Sequence, residues 1–259
     1  MSLLAELTAG SVADAQAREA VRPLAEIERA ALAQPAARDA LAFLEPADRI
    51  KVIAEVKRAS PSRGDLAAIP DPAHQAALYA AGGAAAISVL TEQRRFKGSL
   101  DDLTAVKAAV PLPVLRKDFV ATPYQVWEAR AAGADLVLLI VAALEQPVLE
   151  RLYALVVELG MTPLVEAHTA DEVARAAQLG ARLIGVNARD LSTFELDRDL
   201  FGRLVDKIPA DAVKIAESAV LEPADVAHYR AAGADAVLIG EALVTGDPVA
   251  TLRSFLEAS

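Results

Sequence analysis

The sequence predicts a closed, parallel (β/α)8 barrel, the TIM-barrel architecture, preceded by an N-terminal helical extension. Three observations carry that reading. A short pattern recurs as Gly83-Ala84-Ala85-Ala86-Ile87, Gly133-Ala134-Asp135-Leu136-Val137, Gly180-Ala181-Arg182-Leu183-Ile184 and Gly233-Ala234-Asp235-Ala236-Val237, its glycines 50, 47 and 53 residues apart. Four further apolar runs, at 50–57, 113–117, 162–166 and 213–217, interleave with these. Runs that are apolar throughout and alternate with helices pair in parallel with both faces covered. Eight strand–helix units of about 25 residues fill about 250 residues, and the chain has 259.

The elements follow in order. Residues 1–48, rich in Ala, Glu, Arg and Leu, read as one or two extra amphipathic helices. They cover one end of the barrel, as a plug below or a lid above. Residues 49–259 form the barrel, and no linker or low-complexity stretch divides the chain, so 1–259 is one domain. Each repeat glycine marks a helix C-terminus and the run after it a buried strand. Asp71-Pro72, Thr122-Pro123 and Asp247-Pro248 each place a capping side chain before a proline at the first helical position. Residues 240–244 lie between the last strand and the helix that Pro248 opens. They read as a short extra helical turn, where barrels of this architecture bind phosphate through backbone N–H groups.

Composition bounds the function. Hydrophobic residues are 54% and charged residues 24%, a globular balance. There is no Cys, which excludes disulfides, thiolate metal sites and cysteine nucleophiles, and three scattered histidines (His74, His168, His228) argue against a metal cage. With 26 Lys plus Arg against 36 Asp plus Glu, the net charge of −10 disfavours nucleic acid. A small anionic ligand is still compatible if positive groups gather in one pocket. The longest apolar run, 136–144, is too short for a membrane helix. The N-terminus lacks the pattern of a secretory signal, so a cytoplasmic location is expected.

In such a barrel the chemistry sits at the C-terminal strand ends. Alternation puts Glu55 and Lys57 on the face of Ile53, Lys117 on that of Leu115, and Glu166 on that of Leu164. The seventh strand ends in Glu217 and then Ser218, and the sixth adds Asn187 and Arg189. Alone, each could belong to a salt-bridge network closing the mouth. Their convergence points to a reaction site, because buried charges are costly unless paired or serving a ligand. His74 and His228 read as surface or packing residues, His168 as a candidate for the pocket rim and Trp127 as packing. Arg94 and Arg95, beside Phe96, read as solvated loop residues.

The motifs Ile53-Ala54-Glu55-Val56-Lys57-Arg58-Ala59-Ser60-Pro61-Ser62, Val114-Leu115-Arg116-Lys117-Asp118-Phe119, Pro163-Leu164-Val165-Glu166-Ala167-His168, Ile184-Gly185-Val186-Asn187-Ala188-Arg189-Asp190-Leu191 and Ala216-Glu217-Ser218 resemble indole-3-glycerol-phosphate synthase. They span the barrel in order. The resemblance implies closure of an indole ring from 1-(2-carboxyphenylamino)-1-deoxyribulose 5-phosphate, with loss of CO2 and then water, in tryptophan biosynthesis. It implies no metal or organic cofactor, a small-molecule sugar-phosphate substrate, and a monomer in transient contact at most with other enzymes of the pathway. It favours the lid reading of the extension. It also assigns roles. Lys117 is the general acid, with its pKa lowered by Lys57 and by burial. Lys57 holds the substrate anion and assists dehydration, and Glu166 handles proton transfer and stabilises a cationic intermediate. Glu55 and Asn187 orient these groups and the sugar hydroxyls, with Ser218 beside them. Ser60, Arg189 and Glu217 are substrate contacts, and Phe119 is the wall against the aromatic ring. Ser218, Ala219, Gly240 and Glu241 cradle the phosphate.

Two positions depart from easy expectation. Ala219 stands where the family usually has glycine, and an ordinary backbone conformation is expected there. Glu241 sits where a phosphate would approach, so its side chain is expected to point away and only its N–H to contribute. A Schiff-base aldolase on the same barrel also uses a desolvated lysine at a strand end. A barrel that binds ligand without turnover is the other alternative, with Ala219 as its support.

Overall fold

The computed structural model describes residues 2–61, 63–190 and 195–258. Ser62 and Leu191 of the quoted motifs lie outside them. The strands are β1 (Lys51–Val56), β2 (Ala59–Ser60), β3 (Gly64–Asp65), β4 (Ala86–Leu90), β5 (Val114–Lys117), β6 (Leu136–Ile140), β7 (Thr162–Ala167), β8 (Leu183–Asn187), β9 (Val213–Glu217) and β10 (Ala236–Ile239). β2 and β3 form a small antiparallel hairpin in the loop after β1. The other eight are the predicted strands, and they close into one parallel barrel in chain order, with β10 returning to β1. The helices are α1 (Leu3–Val21), α2 (Leu24–Leu32), α3 (Ala40–Leu44), α4 (Pro72–Gly82), α5 (Leu100–Ala109), α6 (Pro123–Ala131), α7 (Gln146–Glu158), α8 (Ala170–Gln178), α9 (Leu200–Leu204), α10 (Pro223–Ala231) and α11 (Pro248–Glu257).

Local chemistry explains the punctuation. The repeat glycines Gly83, Gly133, Gly180 and Gly233 have φ of 99°, 92°, 70° and 96°, the left-handed region that ends a helix cheaply only with glycine. Asp71, Thr122 and Asp247 cap α4, α6 and α11 as expected. The aspartates of the two Gly-Ala-Asp copies have a further role. Asp135 accepts the Val114 N–H and Asp235 accepts the Lys214 N–H, both at 2.8 Å, so each ties its own strand to the start of the preceding one.

Inside the barrel the side chains stack in layers, because period-2 alternation sends every second residue inward. Ala86, Leu136, Leu183 and Ala236, from alternate strands, make one layer of the buried interior. Ile53, Leu115, Leu164 and Ile215, from the other four, make the next. Two residues further along those four strands stand Glu55, Lys117, Glu166 and Glu217. The layer that would continue the apolar core at its top is ionic instead.

The extension does both things considered for it. Backbone and side chain of Arg38 bond to Asp135 and to the Leu112 carbonyl, at the strand starts, and Ala40 and Leu44 join the barrel interior from that end. α1 lies across the other end, where Ser11 donates to Asp118 at 2.8 Å and Leu7 reaches the mouth. Arg94 and Arg95 are not simply solvated. They pair with Asp14 and Glu6 and clasp α1 to the loop after β4. Trp127 packs against the α2 cluster as expected. Among the described residues no helix is long and apolar enough to cross a membrane.

Candidate active site

Every residue given a catalytic, substrate or phosphate role from the sequence lines one pocket at the C-terminal mouth of the barrel, and His168, the rim candidate, does not. Lys117 stands at its floor. Its ammonium lies 2.8 Å from Glu166 Oε2 and 3.1 Å from Glu217 Oε2, and both carboxylates are 1% exposed. Lys57 lies 2.8 Å from Glu55 Oε1, while Ser88 of β4 donates to the other Glu55 oxygen at 3.4 Å. The two lysines therefore sit in separate carboxylate pairs.

This corrects the expectation for Lys117. Burial by itself lowers an ammonium pKa, but the charges of Glu166, Glu217 and Glu55 outweigh it and hold Lys117 well above its usual value. The lysine is a charged donor. The two carboxyls beside it diverge. Burial and the neighbouring Glu166 charge push Glu217 up, whereas Lys117 and His168 overcome burial and hold Glu166 down. Of the two coupled carboxyls, Glu217 is therefore the one that holds a proton more readily and Glu166 the one that stays ionised more readily.

Backbone geometry gives these groups their room. A Cβ on Gly185 would come within 2.0 Å of Glu217 Oε1, and one on Gly240 within 2.7 Å of Glu55 Oε1 and 3.0 Å of Lys57 Nζ. Gly185 occurs in the strand-six motif, but only the packed barrel shows that its missing side chain houses the Glu217 carboxyl. Behind Lys117, Arg116 points outward and is fully buried. It donates to Asp118 at 2.9 Å and to the Gln125 carbonyl at 2.6 Å, while Asp118 accepts from Thr91 and Ser11. The signal for this network was the unbroken charged run Arg116-Lys117-Asp118 in a buried strand.

At the ends of β8 and β9, Ser218 donates to Asn187 Oδ1 at 2.8 Å, and the same oxygen accepts the Arg189 N–H at 3.0 Å. Ser218 and Ala219 have φ of 70° and 57°, so the ordinary backbone expected at Ala219 is wrong. Two consecutive left-handed residues turn the chain under the pocket. A 3-10 turn at Glu241–Leu243 follows Gly240 as expected. Glu241 does not leave the mouth. Its Oε1 lies 2.7 Å from Arg63 Nη1 in the hairpin loop, so the arginine neutralises it where it stands. Phe119 meets Phe96 with ring centroids 6.1 Å apart, an aromatic wall beside Leu7. His168 is not at the rim. It is wedged between Glu166 and Glu172.

Solved structures with this architecture include a thiamine phosphate pyrophosphorylase from Pyrococcus furiosus, with a TM-score of 0.61 and 12% identity over 81% of this chain and 94% of that one. An N-acetylmannosamine-6-phosphate 2-epimerase from Clostridium perfringens gives 0.58 and 18% over 76% and 87%. At those identities the likeness is one of fold. Sequence relatives are far closer. The indole-3-glycerol phosphate synthase of Leifsonia xyli is 70% identical over 98% of both chains, and that of Beutenbergia cavernae 58% identical over 100% of this chain and 96% of its own. The family model for indole-3-glycerol phosphate synthase matches residues 4–255. With that match and those relatives, the chain belongs to the indole-3-glycerol phosphate synthase family.

Proposed function

We propose that this mouth converts 1-(2-carboxyphenylamino)-1-deoxyribulose 5-phosphate to indole-3-glycerol phosphate, with the following division of work. The phosphate sits on the backbone of residues 218–219 and 240–241, with Ser218 and Arg189 at its side. The aromatic ring lies against Phe119, and the Lys57 ammonium and Ser60 hold the substrate's carboxylate end. Lys117 gives a proton to the ketose C2 oxygen as the ring carbon bearing the carboxylate attacks C2. The new C–C bond leaves positive charge on the ring, which the ionised Glu166 stabilises. Cleavage of the carboxylate bond releases CO2, and its electron pair restores aromaticity. The new hydroxyl then takes a proton from Lys57 and leaves as water, while Glu166 accepts the proton lost from C1. Glu55 and Asn187 orient Lys57 and the sugar hydroxyls, and Glu217 keeps Lys117 in place.

The observation that carries this reading is the Lys117 ammonium fixed between two buried carboxylates at the floor of the mouth. A donor that stays charged suits an acceptor oxygen that becomes strongly basic as the bond forms. The same reading makes the protein a cytoplasmic monomer that meets other tryptophan-pathway enzymes only transiently, and its proton transfers call on no metal or organic cofactor. Indole fluorescence on adding the substrate tests it. Wild-type protein gives product, and Lys117→Met loses about 10² to 10⁴ in kcat. Absent product with wild type, or full turnover by the variant, overturns the reading. Borohydride trapping of Lys117 by a keto-sugar phosphate would favour an imine-forming aldolase instead.

A further inference from the structure

His168 has no part in the steps above, yet it is mostly buried directly beside Glu166. Its backbone N–H donates to Glu172 Oε2 at 2.7 Å, and its ring Nδ1 lies 3.4 Å from the same oxygen. Its Nε2 lies 3.6 Å from Glu166 Oε1. Both of those last atoms are buried, and neither has a hydrogen-bond partner among the described residues. The other Glu166 oxygen is the one that holds Lys117.

The arrangement constrains the proton inventory. A neutral imidazole carries one N–H, so one of its nitrogens would present a bare lone pair to a carboxylate. With Nδ1 protonated, Nε2 would face Glu166 Oε1 acceptor to acceptor in a buried site. With Nε2 protonated, the same confrontation moves to Glu172. Only the doubly protonated ring gives each carboxylate a donor. We propose that His168 is a positioning residue for Glu166: anchored by Glu172, it holds the Glu166 carboxyl from behind as an imidazolium and aims the opposite oxygen at Lys117. A movement of a few tenths of an ångström converts the 3.6 Å contact into a hydrogen bond. The charged groups around the ring are Glu166 on its own strand, Glu172 on α8 and Glu217 on β9, with Lys117 beyond Glu166. The hydrogen bond to Glu172 and the charges of the carboxylates hold its pKa above the ordinary histidine value despite burial. The ring in turn helps hold Glu166 ionised.

The proposal rests on the synthase reading for its effect on turnover, but not for its titration, so two assays separate the failures. In the indole assay, His168→Leu lowers kcat about tenfold with KM within about twofold. It also moves the acid limb of the kcat profile up by about one pH unit, because an opposite charge beside Glu166 is gone. His168→Gln restores a donor without the charge and recovers part of kcat while the limb stays displaced. Glu172→Gln moves the limb in the same direction, and it carries the test if the leucine variant does not fold. Independently of activity, NMR titration of the histidine rings places the His168 midpoint above the usual value. Glu166→Gln and Glu172→Gln each lower that midpoint by about one pH unit. A folded His168→Leu enzyme with an unmoved acid limb, or a His168 midpoint indifferent to Glu166→Gln, overturns the proposal. Absence of product with wild type would sink the synthase reading and leave the NMR result to stand or fall by itself.

Discussion

Replacing Ala219 with glycine removes a Cβ from backbone held at φ 57°. In that region an L-residue's Cβ crowds the following carbonyl, at a cost of about 1–2 kcal/mol. Glycine returns part of the gain, about 0.5–1 kcal/mol, through the greater freedom of the unfolded chain. The net expectation is a stabilisation of about 1 kcal/mol. For a chain of this size that raises the midpoint of thermal unfolding by about 2–4 °C. Position 219 is the clean one to change: Ser218, at φ 70°, also bonds Asn187 through its hydroxyl, so glycine there would lose a contact as well as strain. Thermal unfolding followed by far-ultraviolet circular dichroism measures the shift, and the Michaelis constant measured alongside should stay level or fall. An unchanged or lower unfolding midpoint would refute the strain argument and return Ala219 to an ordinary structural residue.

Gly185→Ala drives a Cβ to within 2.0 Å of the Glu217 carboxyl. It should cost about 1–3 kcal/mol by overpacking and lower kcat more than it raises KM, as chemical denaturation and the indole assay would read. Glu217, pushed up to about 8, binds its proton more tightly in the folded than in the unfolded chain. Its contribution to stability therefore declines as pH rises from the usual glutamate value toward 8, by on the order of 1 kcal/mol per pH unit. Glu217→Gln should flatten that decline, and denaturant midpoints measured from pH 5 to pH 9 check it. On the proposed phosphate placement, Arg63→Ala removes the ion-pair partner of Glu241 beside the phosphate, so KM should rise by about threefold to tenfold. The double change with Glu241→Gln should reverse most of that rise, and steady-state kinetics at two salt concentrations would show it.

The fold was legible because its signals are local and repeated. A glycine that closes a helix in each of the four repeats, a proline after a capping side chain and a continuous apolar run each report on a few neighbouring residues, and the barrel is those units counted to eight. The inner-face site residues were legible for the same reason: Glu55, Lys117 and Glu166 share a face with Ile53, Leu115 and Leu164, and the alternation is a property of any strand. The hairpin at 59–65 gave no such signal, since two strands of two residues carry no period.

Protonation, strain and pairing followed a different logic. Sequence put Lys57 beside Lys117 and so suggested a lowered pKa. Barrel closure instead brought Glu166 and Glu217, 49 and 100 residues along the chain, to within 3.1 Å of Lys117 and reversed the sign. Coulomb energy depends on distance and burial, neither of which is written in residue order. The left-handed backbone at Ser218 and Ala219, the space that Gly185 leaves for a carboxyl, and the wedging of His168 between two glutamates are likewise set by contacts between distant strands. By itself, then, the chain determined which side chains arrive at the mouth. Their charges, orientation and partners were decided only when eight strands closed around one another.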